Sequence, residues 1–262
     1  LKIVENMDAS LTIPTATSYR VIPVKILEEN RRTLNEHLDA ENRAKVSFTH
    51  IIAWALIRAL ADFPNLNSSY AVVENAPAHR SKSEVNLGIA VDIERKDGTR
   101  NLLVPNIKSA QRMDFPTFLR AYDKMIVRVR NGTLAPEDFM GTSITLTNPG
   151  TVGTFASLPR LLKDQGALMA TGSIDYPAEY QAWSSEALSR IGLSKVMAIS
   201  CTYDHRIIQG AESGRFLGRI QDLLLGQDGF YDRLFSPKSK ARQFSALPAC
   251  WTTSKNRSES FS

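Results

Sequence analysis

Cysteine is nearly missing from this chain of 262 residues: Cys201 and Cys250 are the two, far apart. That excludes a disulfide scaffold and fits a reducing, cytoplasmic setting. No CxxC pair or Cys/His spacing is available for zinc, and the acidic residues form no metal-ligating cluster, so no metal is expected. No apolar run approaches the roughly 20 residues of a membrane helix, and the first residues do not read as a signal peptide. Also missing are a GxSxG elbow, a GxxxxGK[ST] loop, a GxGxxG turn and an HExxH helix, which removes the common hydrolase, phosphate-loop, dinucleotide and metalloprotease signatures. NPGTVGT (148–154) has glycines but no lysine, and it reads as a turn.

The composition, 43% apolar and 23% charged, is that of a globular chain with a buried core. The net charge of +5 is not a nucleic-acid footprint. Five of the basic residues lie after position 235 (Lys238, Lys240, Arg242, Lys255 and Arg257), against the one acid Glu259, leaving 27 basic and 26 acidic residues before it. The expectation is one domain over residues 1–235, cut short at its N-terminus because the chain opens on Leu1, and a disordered, basic, Ser-rich tail over 236–262. Neither nucleic acid nor membrane is an expected partner.

Periodicity predicts a helix at the very start and another over 20–38, with Ile26, Leu27, Leu34 and Leu38 as a partial stripe. The strongest signal is SFTHIIAWALIRALADF (47–63), where apolar residues recur at helical spacing, Ser47 can cap the start and Pro64 stops it. VNLGIAVD (85–92) alternates with period two, KDGTR supplies a turn and LLVPNI (102–107) a second strand. A helix is predicted over 114–131 and another over 211–225. Further strands are predicted over 143–148, 167–173 and 195–202. Without strict β-α-β alternation, the fold class is α+β, helices layered on a mixed sheet.

Four histidines are present. His37 and His50 fall in predicted helices and His79 in a polar loop, where solvated or packed roles suffice. His205 sits in TYDHRIIQGAESG, at the exit of an apolar strand, where a rigid scaffold can present a side chain to a cleft. On local pattern alone it is either a base or a structural histidine. Asp204 and Arg206 flank it; alternation along extended chain points both away from it, toward other partners that fix the loop. Cys201 lies within a buried strand and is expected to pack.

Four segments in order resemble the catalytic domain of the dihydrolipoyl acyltransferases, the E2 component of 2-oxoacid dehydrogenase complexes. They are KVSFTHIIAWALIRALADFPNLNSSY, VNLGIAVDIERKDGTRNLLVPNIKSA, GTSITLTNPGTVGT and TYDHRIIQGAESGRFL. ENMDASLTIPTATS, LPRLLKDQGA and DHRIIQG further resemble the E2-like domain of the actinobacterial-type fused 2-oxoglutarate dehydrogenase. The resemblance implies a chloramphenicol acetyltransferase-like mixed sheet flanked by helices, assembled as a homotrimer with active sites between subunits. It implies succinyl transfer between coenzyme A and a dihydrolipoyl group supplied by a lipoyl domain elsewhere, in company with E1 and E3 components. Thiamine diphosphate and magnesium would belong to a fused domain outside this chain. By position His205 would be the base and Thr147 the oxyanion donor, from a neighbouring subunit, with Asn148 a turn residue. Gln209 stands where most of the family has aspartate; it hydrogen-bonds but carries no charge. An inactive trimeric scaffold, and an acetyl- or branched-chain acyltransferase, are the alternatives.

Overall fold

The computed structural model describes residues 2–94 and 98–235. The chain begins with helix α1 (Lys2–Leu11), as expected. The expected helix over 20–38 is two elements: strand β1 (Thr15–Pro23) and helix α2 (Lys25–Ala40). The reason is a change of period. Tyr19 and Val21 are exposed while Ile22 is buried, which is strand alternation. Pro23 then removes a ladder donor, and the helical stripe of Leu27, Leu34 and Leu38 starts only after Val24. Ile26 is exposed and lies off that stripe.

Helix α3 (Phe48–Ala59) is buried on nearly every side, including Ala53, Trp54 and Ile57. A helix apolar all round belongs in the interior of the fold. Each fully buried Ile or Leu contributes about 1.5–3 kcal/mol. Its start is a capping box. The Ser47 hydroxyl accepts from the His50 N–H, and His50 Nδ1 accepts from the Ser47 N–H at 3.1 Å. The imidazole of His50 thus takes the place of the usual Glu or Gln. It is buried, edge-on to Tyr122 with centroids 4.2 Å apart, and burial pushes it down to about 4.

Next come hairpin β2 (Ser68–Val73) and β3 (Ala76–Ser81), where the sequence pattern predicts a polar loop around His79. Its two-residue turn uses Glu74 and Asn75, both at positive φ (50° and 60°). Type I′ geometry normally draws Asn-Gly or Asp-Gly, so Glu-Asn gives little signal. The run 85–92 is also two strands, β4 (Leu87–Ile89) and β5 (Val91–Glu94), as is 102–107, with β6 (Arg100–Leu103) and β7 (Asn106–Ile107). Pro105, without an N–H, interrupts the second run. β5 and β6 pair as a separate ribbon from Val91↔Leu103 to Glu94↔Arg100. Asp97 of the expected Asp-Gly turn lies outside the described residues, as does the expected tail over 236–262.

Helix α4 (Phe115–Arg130) is capped by Asp114. Then follow β8 (Ile144–Thr147), β9 (Ala167–Asp175), the short α5 (Ser185–Arg190), β10 (Val196–Asp204), α6 (Gly210–Leu224) and α7 (Asp232–Phe235). The main sheet has the order β1-β10-β9-β8-β4-β7. β1, β10 and β9 run antiparallel, β9, β8 and β4 parallel, and β7 antiparallel again. A mixed sheet flanked by helices is the expected class. One apolar core joins α2, α3, α4 and α6 to the sheet. Cys201 lies in it, fully buried, and burial pushes its thiol up to about 12, a packing role as expected.

Candidate active site

β10 is buried along almost its whole length and ends at Asp204, so the next residue is presented at the end of a rigid internal strand. The exit is tied on both sides. The Asp204 N–H donates to the Gly166 carbonyl at 2.9 Å, and the His205 N–H to the Pro14 carbonyl at 3.0 Å. Gly166 is required there: a Cβ would lie 2.5 Å from the Ser68 carbonyl oxygen. The chain then turns. Ile207 and Ile208 donate their N–H groups back to the Asp204 carbonyl, and Gln209 becomes the N-cap of α6.

Asp204 is 2% exposed. Its carboxylate is gripped by Arg206, with Nε donating to Oδ1 at 2.9 Å and Nη2 to Oδ2 at 2.6 Å. The Arg206 backbone N–H adds a third bond to Oδ1. The two flanking side chains thus pair with each other rather than with separate groups. The Arg206 guanidinium also lies 3.7 Å above the Tyr70 ring, on the β2–β3 hairpin. Bonding to Asp204 holds Arg206 more firmly protonated than usual. Asn65, just before that hairpin, donates to the Ile207 carbonyl (3.0 Å) and to Glu212 Oε2 (2.9 Å).

The His205 imidazole is exposed beyond this clamp, edge-to-face with the buried Tyr203 ring, centroids 5.5 Å apart. Gln209 is also exposed, and its side chain makes no capping bond. Gly166, Asn65, Tyr70 and Tyr203 are site residues that the sequence pattern did not single out. Three of them act across long separations, which periodicity does not report.

Thr147, half-buried, is the last residue of β8. Asn148 after it turns the chain, and its amide donates to Thr49 Oγ1 at 2.9 Å, tying the turn to the start of α3. The glycines of NPGTVGT are more than turn residues. A Cβ on Gly150 would lie 2.2 Å from the Gly172 backbone, and one on Gly172 would lie 1.6 Å from the Phe155 oxygen. The loop after Thr147 therefore rests directly on β9.

Register sets the relation between the two candidates. Thr147 is level with Ala170, whereas Asp204 bonds at Gly166, and β9 stands between β8 and β10. At ~3.3 Å per residue and ~4.8 Å per strand, Thr147 and His205 of one chain lie on the order of 15 Å apart. At that spacing their side chains do not meet within one chain.

Other histidines follow their expected roles with one change of place. His37 is exposed beside Glu41 on α2, and His79 lies in β3 instead of a loop, with its imidazole Nε2 buried. Among the described residues no group of three or more His, Cys, Asp or Glu side chains is placed to hold a metal ion. Among them, too, no helix is long and apolar enough to cross a membrane.

Residues 1–228 match the 2-oxoacid dehydrogenases acyltransferase (catalytic domain) family. A curated relative, the multifunctional 2-oxoglutarate metabolism enzyme of Mycolicibacterium vanbaalenii, is 48% identical over 233 residues, 89% of this chain and 19% of its own length. The chain thus spans about a fifth of that relative. Among solved structures, the Azotobacter vinelandii dihydrolipoamide acetyltransferase superposes with a TM-score of 0.71 at 24% identity, covering 85% of this chain and 86% of that one. That structure concerns the role of a serine, a histidine and an asparagine in its catalytic mechanism. Chloramphenicol acetyltransferase superposes with a TM-score of 0.50 at 16% identity, over 84% of this chain and 94% of the other.

Proposed function

The chain belongs to the 2-oxoacid dehydrogenase acyltransferase family, and from that membership we propose that it moves an acyl group between the thiols of coenzyme A and a dihydrolipoyl group. The observation that carries this reading is the exposed imidazole of His205, held on a clamped turn at the end of a buried strand.

A thiol with pKa near ~8.5 is mostly protonated at neutral pH and needs a base to become a nucleophile. A neutral His205 nitrogen takes that proton. The thiolate sulfur attacks the thioester carbonyl carbon, and a tetrahedral oxyanion forms. The Thr147 hydroxyl donates to that oxygen. Collapse breaks the old C–S bond, and the departing sulfur takes the proton back from the imidazolium. Because the two residues of one chain stand on the order of 15 Å apart, the Thr147 that serves a given His205 comes from a second copy. A homotrimer with sites between subunits supplies it.

Asp204 and Arg206 neutralise each other, so they hold the turn and leave the chemistry to His205. Gln209, exposed and without a capping bond, offers a neutral amide and carries no charge. In the A. vinelandii acetyltransferase the asparagine under study likewise stands four positions after the histidine. Succinyl is the acyl group favoured by the 48%-identical relative, whose name places it in 2-oxoglutarate metabolism. The dihydrolipoyl group would arrive on a lipoyl domain, with E1 and E3 components as further partners. Thiamine diphosphate and magnesium serve a separate domain. The body is residues 1–235.

The test is succinyl transfer from succinyl-CoA to dihydrolipoamide by the purified chain. His205→Ala is expected to abolish it; a variant at the wild-type rate refutes the role of His205. Gln209 favours one second reading, a trimeric scaffold without transfer activity. A trimer by sedimentation with no calorimetric binding of coenzyme A would select it.

A further inference from the structure

The imidazole of His205 is exposed, and among the described residues no hydrogen bond from its ring nitrogens fixes its orientation. A base free to rotate spends part of its time aimed away from the thiol. The ring of Tyr203 stands against it, with centroids 5.5 Å apart and planes at 73°. Tyr203 is 3% exposed, on a strand whose register is set by β1 and β9 on either side, so its ring is a fixed wall. Edge-to-face pairs at this distance are favourable beyond the area they bury.

The far end of the same side chain meets the first turn of α6. A Cβ built on Gly210 would lie 3.2 Å from the Tyr203 hydroxyl oxygen, tighter than ordinary contact. Gly210 does not have the positive φ that would demand glycine. At the start of a helix alanine is otherwise tolerated, so the room for Tyr203 is the one constraint seen there.

We propose that Tyr203 is a positioning residue, whose ring sets the orientation in which His205 presents its imidazole, and that Gly210 is the residue that leaves this ring its place. The proposal rests on His205 acting as the base. The ring does the work, and the hydroxyl does not.

Tyr203→Phe therefore keeps kcat within about threefold of wild type, and Tyr203→Leu lowers it on the order of tenfold, equivalent to ~1.4 kcal/mol. KM for coenzyme A stays within about twofold in both, since coenzyme A still binds and only the aim of the base is lost. Gly210→Ala lowers kcat by pushing the hydroxyl, and Tyr203→Phe in that background restores it, because the crowded atom is gone. This pair holds the test open if Tyr203→Leu fails to fold. Proton NMR of the His205 ring in the intact chain gives a readout independent of catalysis: the aromatic ring-current shift is present in wild type and Tyr203→Phe and absent in Tyr203→Leu. Equal kcat for the Phe and Leu variants, or no rescue of Gly210→Ala, overturns the proposal while leaving His205 as base. Wild-type activity in His205→Ala overturns the base itself, whatever the ring shifts show.

Discussion

Replacing Arg206 by methionine tests whether the turn carrying His205 depends on its clamp. The substitution keeps an apolar stem over Tyr70 and removes the guanidinium, leaving the Asp204 carboxylate at 2% exposure with a single backbone N–H to bond it. Removing one partner of a buried pair costs about 3–5 kcal/mol. The Arg206 head is itself one-third exposed, so water can partly replace it, and the lower end, about 3 kcal/mol, is the expected loss. For a chain of this size that corresponds to a fall in Tm of roughly 6–12 °C. Urea titration of wild type, Arg206→Met, Asp204→Asn and the double variant separates the terms. The double variant should recover most of the loss, because no unpaired charge is then buried. Transfer activity should fall in Arg206→Met even at temperatures where it is folded. A single-variant loss below about 1 kcal/mol, the level of an exposed ion pair, would refute the clamp, as would a double variant no better than the single.

Three other predictions follow from the same structure. His50, pushed down to about 4 by burial, stays neutral in the folded chain while the unfolded chain takes up a proton near the ordinary 6.5. Stability is then complete above about 6.5 and falls as pH drops toward 4, by about 2 kcal/mol between pH 7 and pH 5. His50→Gln, which keeps a capping-box partner, should flatten that part of the urea-midpoint profile, and an unchanged slope would count against it. Gly172→Ala places a Cβ 1.6 Å from the Phe155 oxygen, so the Thr147 loop must leave β9. The expected result is insoluble protein or a loss above about 3 kcal/mol, read by circular dichroism on heating. Thr147→Val should lower kcat about 10²- to 10³-fold with little change in melting temperature, and Thr147→Ser should retain most of it, as measured by steady-state thiol transfer.

What could be read from the sequence follows from the range of the forces involved. Helices α3, α4 and α6 show their apolar faces at helical spacing, and the strands that become β8, β9 and β10 are short stretches rich in apolar and β-branched residues. Local pattern failed where a turn lacked its usual residues, as at Glu74-Asn75, or where one period passed into another, as at Pro23. His205 and Thr147 were legible as motif residues. Their expected placement on different subunits comes with the resemblance and not from local pattern, because the distance within one chain depends on the register of β9 between them. The Asp204–Arg206 pair is two residues apart, where alternation gives direction but not the fold-back of a long guanidinium stem. The Asn65 bridge to Ile207 spans 142 positions and has no local signature.

The most direct measurement is complementation between two inactive variants. His205→Ala and Thr147→Val chains are prepared separately, mixed in equal amounts, unfolded and refolded together, and assayed for succinyl transfer. If each site joins His205 of one subunit to Thr147 of the next, random assembly of trimers gives intact pairs at about a quarter of the sites, and about a quarter of wild-type activity returns. If both residues of a site came from one chain, no mixture would hold an intact site, and activity no higher than that of the separate variants would contradict the account.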